Sequence, residues 1–319
     1  MNVALAVAGA VFAGRQGIPP AVAAPIVAAF LLQFSFYLVP GFPAARRYVE
    51  ERLSPEGIAA MALIAAVVPY LVYSLPTGRF YWEGLGRLLI AAGAPVTVLT
   101  IWPTRRRGLT WQDAVVLAGI GTVELGGWYR QIYLSPVPGV TIDFLGRIMM
   151  IGVAATAFLS LRKLEGSGYQ LWASRADWKT GLIQAGCFLP VGVLLGAAIG
   201  FGRYRPVPVP SWIYPALGVG IFLGMYAAVA LFEELLFRGV LQNLTTATLG
   251  RPRTAQILAS VVYGLVHLPF RSFPNWRFAL LAAVAGWFYG QAYRQRGSVV
   301  PAAVAHALVV TVWRLWFTG

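Results

Sequence analysis

The chain has 319 residues, 58% of them hydrophobic and only 11% charged, with a net charge of +14 and a mean hydropathy of +0.69. Soluble domains carry about 25% charged residues, so this sequence has too little polar surface to cover a globule in water, and lipid is its natural solvent. Its positive charge does not mark a nucleic-acid binder, because the arginines stand in short clusters between apolar runs and form no basic stripe with interleaved aromatics.

Met1–Gly14 is apolar but too short to span comfortably, and it lacks the basic flank of a signal peptide, so no cleavage is expected. A membrane-spanning helix needs about 20 mainly apolar residues. Such windows run at Pro20–Val39, Gly57–Leu75, Leu85–Trp102, Ala114–Trp128, Phe144–Leu161, Gly181–Phe201, Tyr214–Phe237, Ala255–Leu268, Phe278–Tyr293 and Val299–Phe317. The fourth is interrupted by Glu124, Gly126, Gly127 and Arg130, and the eighth is short. The expected fold is therefore all-α, a polytopic transmembrane helix bundle of about 8–10 spans. Tryptophans near the ends of several runs (Trp82, Trp102, Trp111, Trp128, Trp172, Trp178, Trp212) fit interfacial belts.

Alternate loops hold Arg46, Arg47 and Arg52, then Arg105–Arg107, then Arg162, Lys163, Arg175 and Lys179, then Arg251 and Arg253, then Arg294 and Arg296. The positive-inside rule makes these loops cytoplasmic and puts the end of the last span outside. An integral, multi-pass protein of a bacterial or archaeal plasma membrane is the expected setting. Ser135-Pro136-Val137-Pro138-Gly139 and Pro206-Val207-Pro208-Val209-Pro210 cannot be helical, since proline lacks the backbone donor. The second loop is taken to separate an N-terminal transmembrane block, 1–205, from a C-terminal four-helix block, 211–319. Cys187 is the only cysteine, which excludes an intrachain disulfide and cysteine-based zinc sites.

The chemistry-bearing residues come after residue 230. Leu231-Phe232-Glu233-Glu234-Leu235-Leu236-Phe237-Arg238 lies late in a strongly apolar helix, where each ionisable group costs about 2.5 to 3.5 kcal/mol on insertion scales. Glu234 and Arg238 are four apart in the favourable order for a helical ion pair, whereas Glu233 points about 100° away with no partner on its own helix. The next window carries Tyr263 and His267, the last one His306, and these are the chain's two histidines. A lone histidine in a helix is more often a satisfied core residue than a catalyst. Three such features in one block point to function, because ionisable residues inside a membrane are functional by default.

Glu233-Glu234-x-x-x-Arg238, Tyr263-x-x-x-His267 and His306 resemble, in order and approximate spacing, the three signatures of the CPBP family, which comprises the CAAX proteases of the Ras-converting-enzyme type and bacteriocin-processing enzymes. The resemblance covers about the last third of the chain, from Tyr214 onward. It implies a membrane-embedded endopeptidase in which Glu233 and His267 activate a water and His306 stabilises the tetrahedral intermediate, with Glu234, Arg238 and Tyr263 in support. Two positions depart from the family pattern. The second motif usually begins with phenylalanine and here begins with Tyr263. The family asparagine four residues after the last histidine is Val310, which cannot donate a hydrogen bond, and Tyr263 and Thr311 are the nearby donors that could stand in for it.

No serine, cysteine or threonine is paired with a histidine in a recognisable arrangement, so a water nucleophile is the economical reading. No cofactor is favoured. Zinc is the alternative, held by Glu233, His267 and His306, although the local HExxH spacing of zinc peptidases is missing. The expected partners are the lipid bilayer and a membrane-anchored or lipidated protein or peptide substrate. Substrates allowed by the resemblance are prenylated C-terminal motifs, leader peptides and C-terminal sorting tags. Competing readings are a non-enzymatic immunity or scaffold protein that keeps the polar cluster for helix association, and a proton-coupled transporter, which repeated halves would mark and which this sequence lacks.

Overall fold

In the computed structural model of the protein, which describes residues 2–318, nearly every apolar window is a helix whose ends are set by prolines, glycines and caps. Helices α1 (Asn2–Arg15), α2 (Pro20–Gly41), α3 (Pro43–Arg52) and α4 (Pro55–Ser74) follow one another closely. The last three begin with proline in the first turn, where the missing N–H is not needed. Ser54 caps α4 by accepting a hydrogen bond from the Gly57 amide at 3.2 Å. After α5 (Trp82–Ile101), helix α6 (Trp111–Leu125) starts with a capping box between Thr110 and Asp113 and stops at Gly126. The turn into the short α7 (Trp128–Ile132) needs Gly127 at φ 67°, a left-handed value that favours glycine. Helix α8 (Phe144–Leu161) completes this half.

The chain divides into two compact units, residues 1–105 with 110–163, and residues 106–109 with 164–319. Within the first, α2 packs on α4 and α8, and α5 packs on α4 and α6. Its most polar buried feature is an ion pair. Arg162 Nε lies 2.9 Å from Asp113 Oδ1, and the guanidinium also donates to the Thr104 carbonyl at 3.2 Å. Arg162 thus neutralises a buried carboxylate and is not one of the exposed loop charges its place in the sequence suggested.

The second unit holds α9 (Arg175–Ala198), α10 (Ser211–Leu249), α11 (Pro252–Leu265), α12 (Trp276–Arg296) and α13 (Val299–Trp316). Helices α11 and α12 pack along each other, α9 packs on α12 and α13, and α10 packs on α11 and α13. The packing therefore parts at 163/164, and α9, which precedes the proline-rich loop, packs against the C-terminal helices. Strand β1 (Arg203–Tyr204) pairs antiparallel with β2 (Phe317–Thr318), tying the segment after α9 to the end of α13.

Among the described residues seven helices are long and apolar enough to cross a membrane, namely α2, α4, α5, α8, α9, α10 and α13. The protein is an all-α polytopic membrane protein. Two of the ten sequence windows yield helices of 15 and 14 residues, α6 and α11. At 1.5 Å per residue these measure about 22 and 21 Å, short of a hydrocarbon core of about 30 Å. Helix α10 goes the other way. Its 39 residues make it about 58 Å long at the α-helical rise, and its winding loosens to a π-helix at Tyr226–Ala230 and again at Leu235–Gln242.

Candidate active site

Glu233 and Glu234 occupy the short α-helical stretch Leu231–Glu234 between the two π-helical segments of α10. Such π-turns are rare and concentrate at functional positions. The pair divides its roles as the helical spacing suggests. Glu234 Oε2 lies 3.0 Å from Arg238 Nε, and both side chains are fully buried. Arg238 Nη2 also donates to the Gly286 carbonyl of α12 at 2.9 Å. Its guanidinium carbon sits 4.7 Å from the centre of the Tyr263 ring and 5.5 Å from that of Tyr289, so the cation is enclosed by π-faces as well as by its carboxylate. Gly286 permits this approach, since a Cβ there would come within 3.2 Å of Arg238 Nη2 and 3.1 Å of the Tyr263 ring.

The second oxygen of Glu234 serves another helix. Oε1 is 2.9 Å from Nδ1 of His306, eight residues into α13. A carboxylate only accepts, so His306 donates from Nδ1, and when neutral it presents its Nε2 lone pair on the other side. That nitrogen lies 3.5 Å from the Tyr263 hydroxyl and 4.0 Å from Glu233 Oε2. The ring is held flat against Tyr289, with centroids 4.9 Å apart and 7° between planes.

His267 lies just beyond the end of α11, at Leu265, in the turn before Pro269. The backbone N–H of His267 bonds to the Gly264 carbonyl, leaving the Tyr263 carbonyl as one of the orphan acceptors of a helix C-terminus. The imidazole fills that role itself, with Nδ1 donating to the Tyr263 carbonyl at 2.6 Å. A carbonyl cannot donate, so neutral His267 carries its proton on Nδ1 and keeps Nε2 as a base. The ring packs against Tyr263 and Phe278, each with centroids 4.7 Å away, and lies within electrostatic reach of Glu233 and His306.

Glu233 is the least buried member, with 27% of its side chain exposed. Its Oε2 is nevertheless buried and has no hydrogen-bond partner among the described residues. Glu233, Glu234, Arg238, Tyr263, His267 and His306 all face one cluster built by α10, α11 and α13. Tyr289, stacked on His306, and Gly286, which receives Arg238, belong to the same cluster. No motif in α12 singled them out. Thr311, one of the two donors considered beside Val310, gives its hydroxyl to the Ala307 carbonyl at 2.7 Å. Among the described residues no group of three His, Cys, Asp or Glu side chains could hold a metal ion.

No curated protein and no solved structure matches the chain significantly. Residues 215–312 match the family described as type II CAAX prenyl endopeptidase Rce1-like, a span that runs from the start of α10 into α13 and includes every residue of the cluster. Over these residues the membrane protein is similar to the Rce1-like CAAX proteases, a family of intramembrane endopeptidases.

Proposed function

We propose that this domain hydrolyses a peptide bond of a membrane-associated protein by means of a water activated by Glu233 and His267. The observation that carries the reading is the buried, unpartnered Oε2 of Glu233, 4.0 Å from His306 Nε2. Two polar atoms at that separation are too far apart to bond directly, and one water bonded to both at about 2.8 Å fits between them. Glu233 is the proton acceptor, because Glu234 is already committed to Arg238 and His306. His267 assists with its free Nε2, the nitrogen left available by the bond from Nδ1 to Tyr263. His306 borders the same space with Nε2.

The family name points to substrates with a prenylated C-terminal motif. Leader peptides and C-terminal sorting tags offer the same chemistry, a scissile amide close to a membrane anchor. A metal-dependent version of the reaction is the alternative, although Glu233, His267 and His306 are not grouped to hold an ion among the described residues, so the test separates the two.

The test is cleavage of a membrane-anchored reporter library by the purified full-length protein, with and without a strong chelator. Glu233→Gln is expected to lower cleavage by at least about 100-fold, the usual scale of general-base catalysis, and chelation to leave the wild type unchanged. Loss of cleavage on chelation would assign the water to a metal. A wild type that cleaves nothing would favour the scaffold reading over the enzyme.

A further inference from the structure

Peptide hydrolysis needs a donor for the oxyanion as well as a base for the water. His306 is the natural candidate, yet its Nδ1 proton is given to Glu234 at 2.9 Å. The neutral ring therefore turns an acceptor, Nε2, toward the reaction space, and could donate there only as an imidazolium. Two other hydroxyls nearby are occupied. Thr311 donates to the Ala307 carbonyl at 2.7 Å and Ser260 to the Gln256 carbonyl at 2.7 Å. Val310, one turn beyond His306 on the same face, has nothing to donate.

Tyr263 remains. Its hydroxyl stands 3.5 Å from His306 Nε2, the atom that Glu233 Oε2 approaches to 4.0 Å from its own helix. The ring is wedged between the two histidines, with centroids 4.7 Å from His267 and 6.0 Å from His306. It is also fixed edge-on against Phe237 at 5.0 Å and beneath the Arg238 guanidinium. At 3.5 Å the bond to Nε2 is long and weak, one that a substrate oxygen can displace.

The geometry points to Tyr263 as a further catalytic residue, whose phenol donates the hydrogen bond that stabilises the oxyanion. This rests on the hydrolytic reading of the site. As the water oxygen bonds to the carbonyl carbon, the water's proton passes to Glu233 and the carbonyl π-electrons move onto oxygen. That oxygen accepts from the Tyr263 O–H, which keeps its proton. When the C–N bond breaks, the electron pair returns to re-form C=O and the amine leaves with the proton held by Glu233.

Steady-state cleavage of the membrane-anchored reporter, compared across Tyr263→Phe, Thr311→Val, Glu233→Gln and wild type, tests this. Tyr263→Phe keeps the ring and its stacking. It is expected to lower kcat by about 100-fold or more, the scale of one lost oxyanion donor, with KM and the unfolding midpoint nearly unchanged, while Thr311→Val cleaves like wild type. Should Tyr263→Phe fail to fold, difluorotyrosine at position 263 replaces it. Its more acidic phenol ionises sooner, so the alkaline limb of kcat is expected to move to lower pH. A Tyr263→Phe kcat within about threefold of wild type, or an unmoved alkaline limb, overturns the assignment while Glu233→Gln still abolishes cleavage. Cleavage that survives Glu233→Gln, or a wild type that cleaves no reporter, overturns the hydrolytic reading and this assignment with it.

Discussion

At the scale of single residues the site is organised around Glu234, which is ion-paired on one side with Arg238 and hydrogen-bonded on the other to His306. Buried ion pairs gain little over apolar packing, but removing one partner is costly because the other is left charged and unsolvated. Arg238→Met is therefore expected to destabilise the protein by about 3–5 kcal/mol, measured as unfolding in detergent. Arg238→Met combined with Glu234→Gln should lose less, since no carboxylate is then stranded. A double variant as unstable as the sum of the singles would show that the two side chains do not act as a unit. The Glu234–Arg238 pair was legible in the sequence because i,i+4 spacing puts both on one helix face. The Glu234–His306 bond was not, since it joins helices 72 residues apart, and neither was Asp113–Arg162, joined across 49. Spacing along one helix is written in the chain, whereas partners on different helices are chosen only by packing.

At the scale of helices, apolar runs and prolines marked most boundaries within a few residues, and the departures sit at the site. Hydropathy shows where α10 is apolar but not that its winding loosens on either side of the glutamates. Nor does it show that α11 stops short of His267, because Val266 and Leu268 continue the apolar run past the helix end. The close approach of α11 to α12 depends on Gly264, where a Cβ would lie 2.5 Å from the Ala279 carbonyl oxygen and 2.7 Å from the Ala283 Cβ. Both neighbours belong to α12, and the nearer is a backbone atom, so neither can yield by a rotamer change. Gly264→Ala should push the two helices apart at a cost of about 1–3 kcal/mol, the usual penalty for overpacking. It should also lower kcat, because Tyr263 precedes the glycine and His267 follows it within one turn. Normal cleavage and unchanged stability in Gly264→Ala would show that the crossing tolerates more separation than the site geometry implies.

At the scale of the C-terminal unit, the hydrogen bonds between loops sort its ends. The Leu109 amide bonds to the Leu244 carbonyl, Asn243 donates to the Glu165 carbonyl, and Ser298 donates to the Gly168 carbonyl. Residues 108–109, 165–168, 243–248 and 298 thus gather at one end, beside the basic positions Arg107, Arg251 and Arg296. The β1–β2 pairing gathers the segments around Tyr204 and Phe317 at the end of α13 away from them. The loops expected on one side from their arginines thus lie together in this unit, and the positive-inside rule predicts that this end is cytoplasmic. His306 is eight residues into α13 from that end, roughly 12 Å in at the helical rise. Single cysteines introduced into a Cys187→Ser background test the orientation with a membrane-impermeant maleimide. Tyr204→Cys and Ser211→Cys should label in intact cells, and Arg107→Cys and Arg251→Cys only after permeabilisation. The reverse pattern would invert the topology and give the active site to substrates whose scissile bond approaches from outside.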